Sequence, residues 1–304
     1  WPFLWEVLLR KGFDDRWVTR VMQLLSCGRT TVNINGEIGP YFPTLYGVCQ
    51  GDPFSPFLFN MVVDALAVIL DKAKACGHIR GMVPHLVGAG GVSLLQYADD
   101  TIIMVEGSTS DLKFLLLCFQ QMSGLTINFD KSEVMVLGYN PDEALSIADR
   151  LNCRLSTFPT TYLGVPISDS RFPVADLRPT VTRMQHRVEP WRGRWLSKAA
   201  RVILINSSLA SLLWFLLSFY CLHETLHQEV DKYQSRFFWA GEDGKQKYHM
   251  VGWSDICKPK VQGGLGTLSS RRMNIALLTR WLWRIANGEG GLWLTIIRNK
   301  YLRG

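Results

Sequence analysis

The sequence predicts an α+β chain. A first half alternates helices with short antiparallel strands, and a basic second half is mostly helical. Three observations carry this. Apolar residues recur at helical spacing in some stretches and alternate in others, with Gly, Pro and Asn at the joints. Charge is divided: Trp1–Leu145 holds 10 Lys+Arg against 15 Asp+Glu, and the remainder holds 23 against 11, so −5 and +12 sum to the chain's +7. At 304 residues the chain is long enough for two cores. We place the boundary near residues 168–172, giving domains 1–168 and 169–304.

Phe3, Leu4, Val7 and Leu8 open a helical pattern, Gly12 stops it, and a second amphipathic helix follows to Leu25. Thr30 to Asn35 alternates as a strand, and Asn35-Gly36 is a strong hairpin turn with a return strand over 37–42. The segment from Gly47 to Pro56 has two glycines and two prolines and reads as a tight loop. Phe57, Leu58, Met61, Val62, Ala65, Leu66 and Ile69 then line one helix face, ended by Gly77. A helix over 110–122 stops at Gly124, and a strand runs through Val134, Val136 and Leu137.

Between the last two helices stands Leu94-Leu95-Gln96-Tyr97-Ala98-Asp99-Asp100-Thr101-Ile102-Ile103. Apolar flanks predict two strands, with Asp99-Asp100 as the turn. Asp is a common turn residue. Two adjacent hard carboxylates on a rigid tip also suit Mg²⁺, which takes few protein ligands and completes its shell with water and phosphates.

Tyr162 to Ile167 reads as a further hairpin. Beyond it Arg and Trp become frequent. Val202–Leu222 has no charged residue and bilayer length, but Asn206, Ser207, Ser208 and Ser211 favour a buried helix, and no membrane partner is expected. Leu226, Val230, Tyr233 and Phe237 form one later helix face; Met273, Ala276, Leu277, Trp281 and Ile285 form another. His223-Glu224-Thr225-Leu226-His227 matches H-E-x-x-H, a zinc-protease pattern that lacks a convincing third ligand here. Seven scattered cysteines without a C-x-x-C pair imply reduced thiols in an intracellular setting.

Taken together, Gln50-Gly51-Asp52-Pro53-x-Ser55-Pro56 and Tyr97-Ala98-Asp99-Asp100 resemble reverse transcriptases, specifically those of plant non-LTR (LINE-type) retrotransposons. The likeness continues through Gly124-Leu-x-Ile127-Asn128-x-x-Lys131-Ser132 and Tyr162-Leu163-Gly164-Val165-Pro166. It extends through Trp191-x-Gly193-x-x-Leu196-Ser197 to Lys258-Pro259-x-x-x-Gly263-Gly264-Leu265-Gly266. The resemblance implies a right-hand polymerase, with most of the palm in 1–168 and the thumb and connecting region in 169–304. It implies that Asp99 coordinates two Mg²⁺ ions (Mn²⁺ able to substitute), supported by Asp100. Gln50, Gly51, Asp52 and Lys131 would border nucleotide and template. Tyr97, Tyr162, Leu163 and Gly164 would contact the primer end. RNA template, DNA primer and deoxynucleoside triphosphates would be the partners, in the nucleus. Arg192, Arg194, Lys198, Arg201, Arg271 and Arg272 are candidates to track a nucleic-acid backbone.

Three departures from the family pattern are legible. The strand bearing the family's first catalytic Asp is absent, and Asp14-Asp15 follows a helix and so does not replace it. Tyr46 and Cys49 stand where the family has Arg. The Cys/His-rich segment and the endonuclease are absent too. The expectation is a truncated element copy that does not polymerise alone. The alternative is a remnant that binds nucleic acid without catalysis.

Overall fold

The computed structural model describes residues 1–44, 47–48, 51–88, 90–170, 177–179, 182, 186, 196–239 and 249–302, except the side chains of 211 and 212. It is an α+β structure whose contacts divide it into two compact units, Trp1–Ser156 with Gly291–Gly304, and Thr157–Gly290.

In the first unit, α1 (Pro2–Arg10) and α2 (Asp15–Ser26) pack their apolar faces on α3 (Ser55–Ala75) through Leu4, Leu8, Val18, Val21 and Leu58. Asp14 caps α2 by accepting from the Arg16 and Trp17 amides at 3.0 and 3.4 Å. This gives the first Asp of the Asp14-Asp15 pair a structural task. Between α2 and α3 lie β1 (Arg29–Thr30), β2 (Asn33–Ile34), β3 (Glu37–Ile38) and β4 (Phe42–Pro43). Asn35 and Gly36 both take positive φ between β2 and β3, as the Asn-Gly signal predicts.

After α3 come β5 (Ile79–Gly81), the short α4 (Pro84–Val87), β6 (Leu94–Tyr97), β7 (Asp100–Ile103) and β8 (Val105–Gly107). β5 pairs with β8 and β6 with β7, all antiparallel. Met82 bridges to Val92, and the Met104 amide donates to the Ser93 carbonyl at 2.9 Å, so the two ladders are joined end to end. Their apolar side packs on α3 and α5 (Thr109–Ser123): Leu94, Ile103 and Val105 lie against a core of Leu66, Leu70, Ala73, Ile79, Leu116 and Phe119. Ser108 caps α5, and Gly124 ends it in the left-handed region, as expected. The predicted strand over 134–137 shortens to β9 (Glu133–Val134), because its only partner is β10 (Arg154–Leu155), in parallel, beyond α6 (Pro141–Leu151). The C-terminal helix Leu292–Tyr301 returns to this unit, where Asn299 donates to the Leu86 carbonyl.

The second unit begins with the hairpin β11 (Thr160–Tyr162) and β12 (Val165–Ile167). By contacts the two compact units divide before this hairpin, between Ser156 and Thr157. Val165 is buried with Ile205, Leu209, Leu213, Leu217, Leu226 and Val230, and the Tyr220 hydroxyl donates to the Pro166 carbonyl at 2.6 Å. The bilayer-length segment is α7 (Lys198–Leu204), a π-helical stretch over Ile205–Leu209, and α8 (Ala210–Phe219). Among the described residues no single helix is long and apolar enough to cross a membrane; Lys198–Leu209 and Leu213–Phe219 reach that length only as a pair bent by 50°. The break follows the π-helical stretch, between Leu209 and Leu213. Within that stretch Asn206 donates to the Gly266 carbonyl and accepts from the Leu268 amide.

α9 (Glu224–Trp239), α10 (Trp253–Ile256) and α11 (Ser270–Ala286) complete the unit. Asn274, 3% exposed, donates to the Leu217 and Tyr220 carbonyls and accepts from the Leu222 amide, tying down the C-terminus of α8. The glycine-rich motif between α10 and α11 has a steric reason. A Cβ on Gly264 would sit 2.1 Å from the Lys258 carbonyl oxygen, whereas Gly263 has open space but φ +82. Gly264→Ala is therefore expected to cost about 3 kcal/mol through overpacking. Gly263→Ala should cost about 1 kcal/mol through backbone strain. Urea denaturation of the two variants measures both.

Candidate active site

The β6–β7 hairpin builds the site from its root outward. Its root is apolar and packed; its tip is polar and in water. Leu94 pairs with Ile103, Leu95 with Ile102, Gln96 with Thr101 and Tyr97 with Asp100. The turn residues are thus Ala98 and Asp99, one position earlier than the expected Asp99-Asp100, and Asp100 is the first residue of β7. Period-two pairing leaves Tyr97 and Asp100 directly opposite each other.

Ala98 has φ +52 and Asp99 has none in that region, the sign pattern of a type II′ turn, where glycine is usual. A Cβ there costs about 1–2 kcal/mol. The Gln96 side chain donates to the Ala98 carbonyl at 3.2 Å and braces the strained peptide. This brace was not anticipated from the sequence; Gln at the strand position before the aromatic was its only signal.

Asp99 and Asp100 are exposed, and Tyr97 is 65% exposed. No hydrogen bond or ion pair among the described residues engages either carboxylate side chain. Two adjacent carboxylates without a cation repel each other, and packing does not require them. The pair suits a hard divalent cation that uses one or two carboxylates and shares the rest of its shell with water and phosphate. No group of three or more His, Cys, Asp or Glu placed to hold a metal exists among the described residues; the tip presents two carboxylates.

The other predicted residues are placed as follows. Gln50 lies outside the described residues, as do Tyr46, Cys49, Arg192 and Arg194. Gly51 has φ +90 with open space at its Cβ position, so its glycine is required by backbone conformation. Asp52 accepts from the Ser55 hydroxyl at 2.8 Å at the start of α3, a local brace that leaves its second oxygen available. Lys131 sits on an Asx turn, its amide donating to the Asn128 side chain at 3.1 Å, while Ser132 donates to the Asn128 carbonyl. No hydrogen bond or ion pair among the described residues joins Lys131 to Asp99 or Asp100. Tyr162, Leu163 and Gly164 belong to the second unit. There Leu163 and Gly164 both take positive φ, +51 and +79, in the turn between β11 and β12.

Half of the basic residues expected to track nucleic acid have internal work. Lys198 donates to the Phe238 carbonyl at 2.7 Å, and Arg201, 6% exposed, donates to the Leu196, Phe237 and Phe238 carbonyls. Both close the C-terminal end of α9, where cations also complement the helix dipole. Arg271 pairs with Glu224 and Asp231. The protease pattern dissolves for the same reason. His227 is buried and shares a hydrogen bond with Ser270 at 2.9 Å, and Glu224 is held by Arg271.

Residues 1–167 match the reverse transcriptase (RNA-dependent DNA polymerase) family. The chain belongs to that family. Its relatives place it among reverse transcriptases of non-LTR retrotransposons. A putative ribonuclease H protein of Arabidopsis thaliana is 30% identical over 45% of this chain and 22% of its own. The 149 kDa protein of transposon TX1 from Xenopus laevis is 27% identical over 88% of this chain and 20% of its own. The Pol polyprotein of retrotransposable element R2DM from Drosophila melanogaster is 28% identical over 48% and 13%. The chain thus spans about a fifth or less of these relatives' length.

Two outcomes follow for the site and its neighbouring network. Ala98→Gly relieves strain but adds unfolded-state entropy of about 0.4–1 kcal/mol, so a net stabilisation of about 0.5 kcal/mol is expected in denaturant titration. Burial, reinforced by nearby Arg271, lowers the His227 pKa below its ordinary 6.5. The unfolded chain then binds more protons than the folded one, so this contribution is present above pH 6.5 and lost as pH falls below it. Hydrogen bonding from Arg271 likewise lowers the Glu224 pKa below 4.5, and that contribution disappears in a lower, separate window. A stability–pH profile should lose its upper step in His227→Gln and keep its lower one.

Proposed function

We propose that this chain carries the metal-binding hairpin of an RNA-directed DNA polymerase. It would extend a DNA primer on an RNA template with deoxynucleoside triphosphates, in an intracellular, nuclear setting. The observation that carries the reading is the Asp99–Asp100 pair: exposed, paired with no basic side chain among the described residues, and held on a braced, strained turn above a packed root. Family membership supports the reaction class.

In this reading Asp99 and Asp100 offer carboxylate oxygens to divalent cations, two Mg²⁺ ions in the working site. When bound, such ions activate the primer 3′-hydroxyl and stabilise the departing pyrophosphate. Asp99, on the turn, reaches farthest toward substrate, and Asp100, on the strand, supports it. Tyr97, opposite Asp100, offers an exposed ring to the primer end. Gly51 lets backbone approach the nucleotide closely, Asp52 and Lys131 border its polar groups, and Tyr162, Leu163 and Gly164 serve the primer. Gln50 is assigned to nucleotide and template on the family pattern alone.

Since the tip supplies two carboxylates and catalysis on two ions needs more, the 304-residue chain alone should incorporate no nucleotide in a primer-extension assay on RNA. Joined to a segment that supplies a further carboxylate, it should incorporate, and Asp99→Asn should lower the rate by about 10³-fold. Incorporation unaffected by Asp99→Asn would overturn the assignment.

A further inference from the structure

α11 carries four arginines and no acidic residue over its 17 positions. Two are neutralised within the unit: Arg271 by Glu224 and Asp231, and Arg284 by Glu289. Arg272 and Arg280 are exposed, and no carboxylate among the described residues pairs with either. They share the outer face of the helix with Ile275, Leu282 and Trp283, which are 68%, 66% and 68% exposed. The opposite face is fully engaged: Asn274 is buried, and Met273 and Leu277 pack against the core. Arg272, Arg280 and Trp283 follow one another at intervals of eight and three residues, so they line one side of the helix, the two arginines about 12 Å apart along its axis.

We propose that this face binds single-stranded nucleic acid, with Trp283 stacking on an unpaired base and Arg272 and Arg280 holding phosphates. The proposal rests on the polymerase reading for its choice of polyanion. Two uncompensated guanidiniums beside an exposed indole complement an anionic partner with a flat apolar surface, and a single strand offers both. A duplex offers the charge but keeps its base faces stacked. No Asn, Gln, Asp or Glu lies on this face to read base edges, so binding is tolerant of sequence.

Fluorescence anisotropy of labelled short RNA and DNA, single-stranded and duplex, tests this on the 304-residue chain. Trp283→Ala should weaken single-strand binding about tenfold and leave duplex binding unchanged. Trp283→Phe should restore most of the loss. Arg272→Gln and Arg280→Gln should each reduce the slope of log affinity against log salt by about 0.7. Matched denaturation midpoints establish that the variants fold. The readout is binding and not nucleotide incorporation, so failure of the polymerase site leaves this test intact. The proposal is overturned by unchanged single-strand affinity in Trp283→Ala, by an equal loss for single strand and duplex, or by a Trp283-dependent dimer in sedimentation.

Discussion

The packing of the β6–β7 root against α3 and α5 is the constraint on which the first unit's site depends. Leu94 and Ile103, partly buried, pack against a core that includes Leu66, Leu70 and Phe119. Full burial of a side chain this size contributes about 1.5–3 kcal/mol, so the two partly buried side chains together contribute about 2–3 kcal/mol. That exceeds both the strain of a positive φ at Ala98 and the repulsion of two carboxylates screened by water. The hairpin therefore holds unfavourable features at its tip because its base is secure. An unbraced surface turn would relax to a glycine or lose an aspartate without loss of packing. Strain and unpaired charge at one position, supported by a well-packed base, are the features on which the proposed cation site rests.

The second unit distributes its charge on a different principle. Lys198 and Arg201 close the end of α9, Arg271 joins α11 to α9, Asn206 satisfies backbone groups of the loop before α11, and Asn274 satisfies those at the end of α8. A net excess of positive charge thus overstates the basic surface. What reaches solvent on α11 is a short arginine and tryptophan face, not a uniform basic stripe.

Much of the fold was legible in the sequence because its signals are local. The Asn35-Gly36 turn, the helix stops at Gly12 and Gly124 and the 3.6-residue apolar pattern of α3 depend on few neighbours. The hairpin was legible too, but its turn was displaced by one residue. Register depends on Leu94–Ile103 and Gln96–Thr101 pairing, and Ala at positive φ carries no propensity signal. Val136 and Leu137 read as strand, yet only Glu133 and Val134 find a partner, and that partner lies beyond a helix. The inward use of Arg201 and His227 was not legible, since the partners Phe237, Phe238 and Ser270 lie 36 to 43 positions away in the chain. The packing of the β11–β12 hairpin was not legible for the same reason: Val165 and Pro166 meet partners around Ile205 and Tyr220.

Paramagnetic relaxation by Mn²⁺, followed on backbone amide signals of the 304-residue chain, tests the central claim most directly. If the Asp99–Asp100 tip is a cation site, amides from Tyr97 to Thr101 broaden at the lowest Mn²⁺ concentrations, and Asp99→Asn with Asp100→Asn removes that broadening while the rest of the spectrum is preserved. Broadening that begins at other acidic surfaces, such as Asp142 and Glu143, and is indifferent to both substitutions would contradict it.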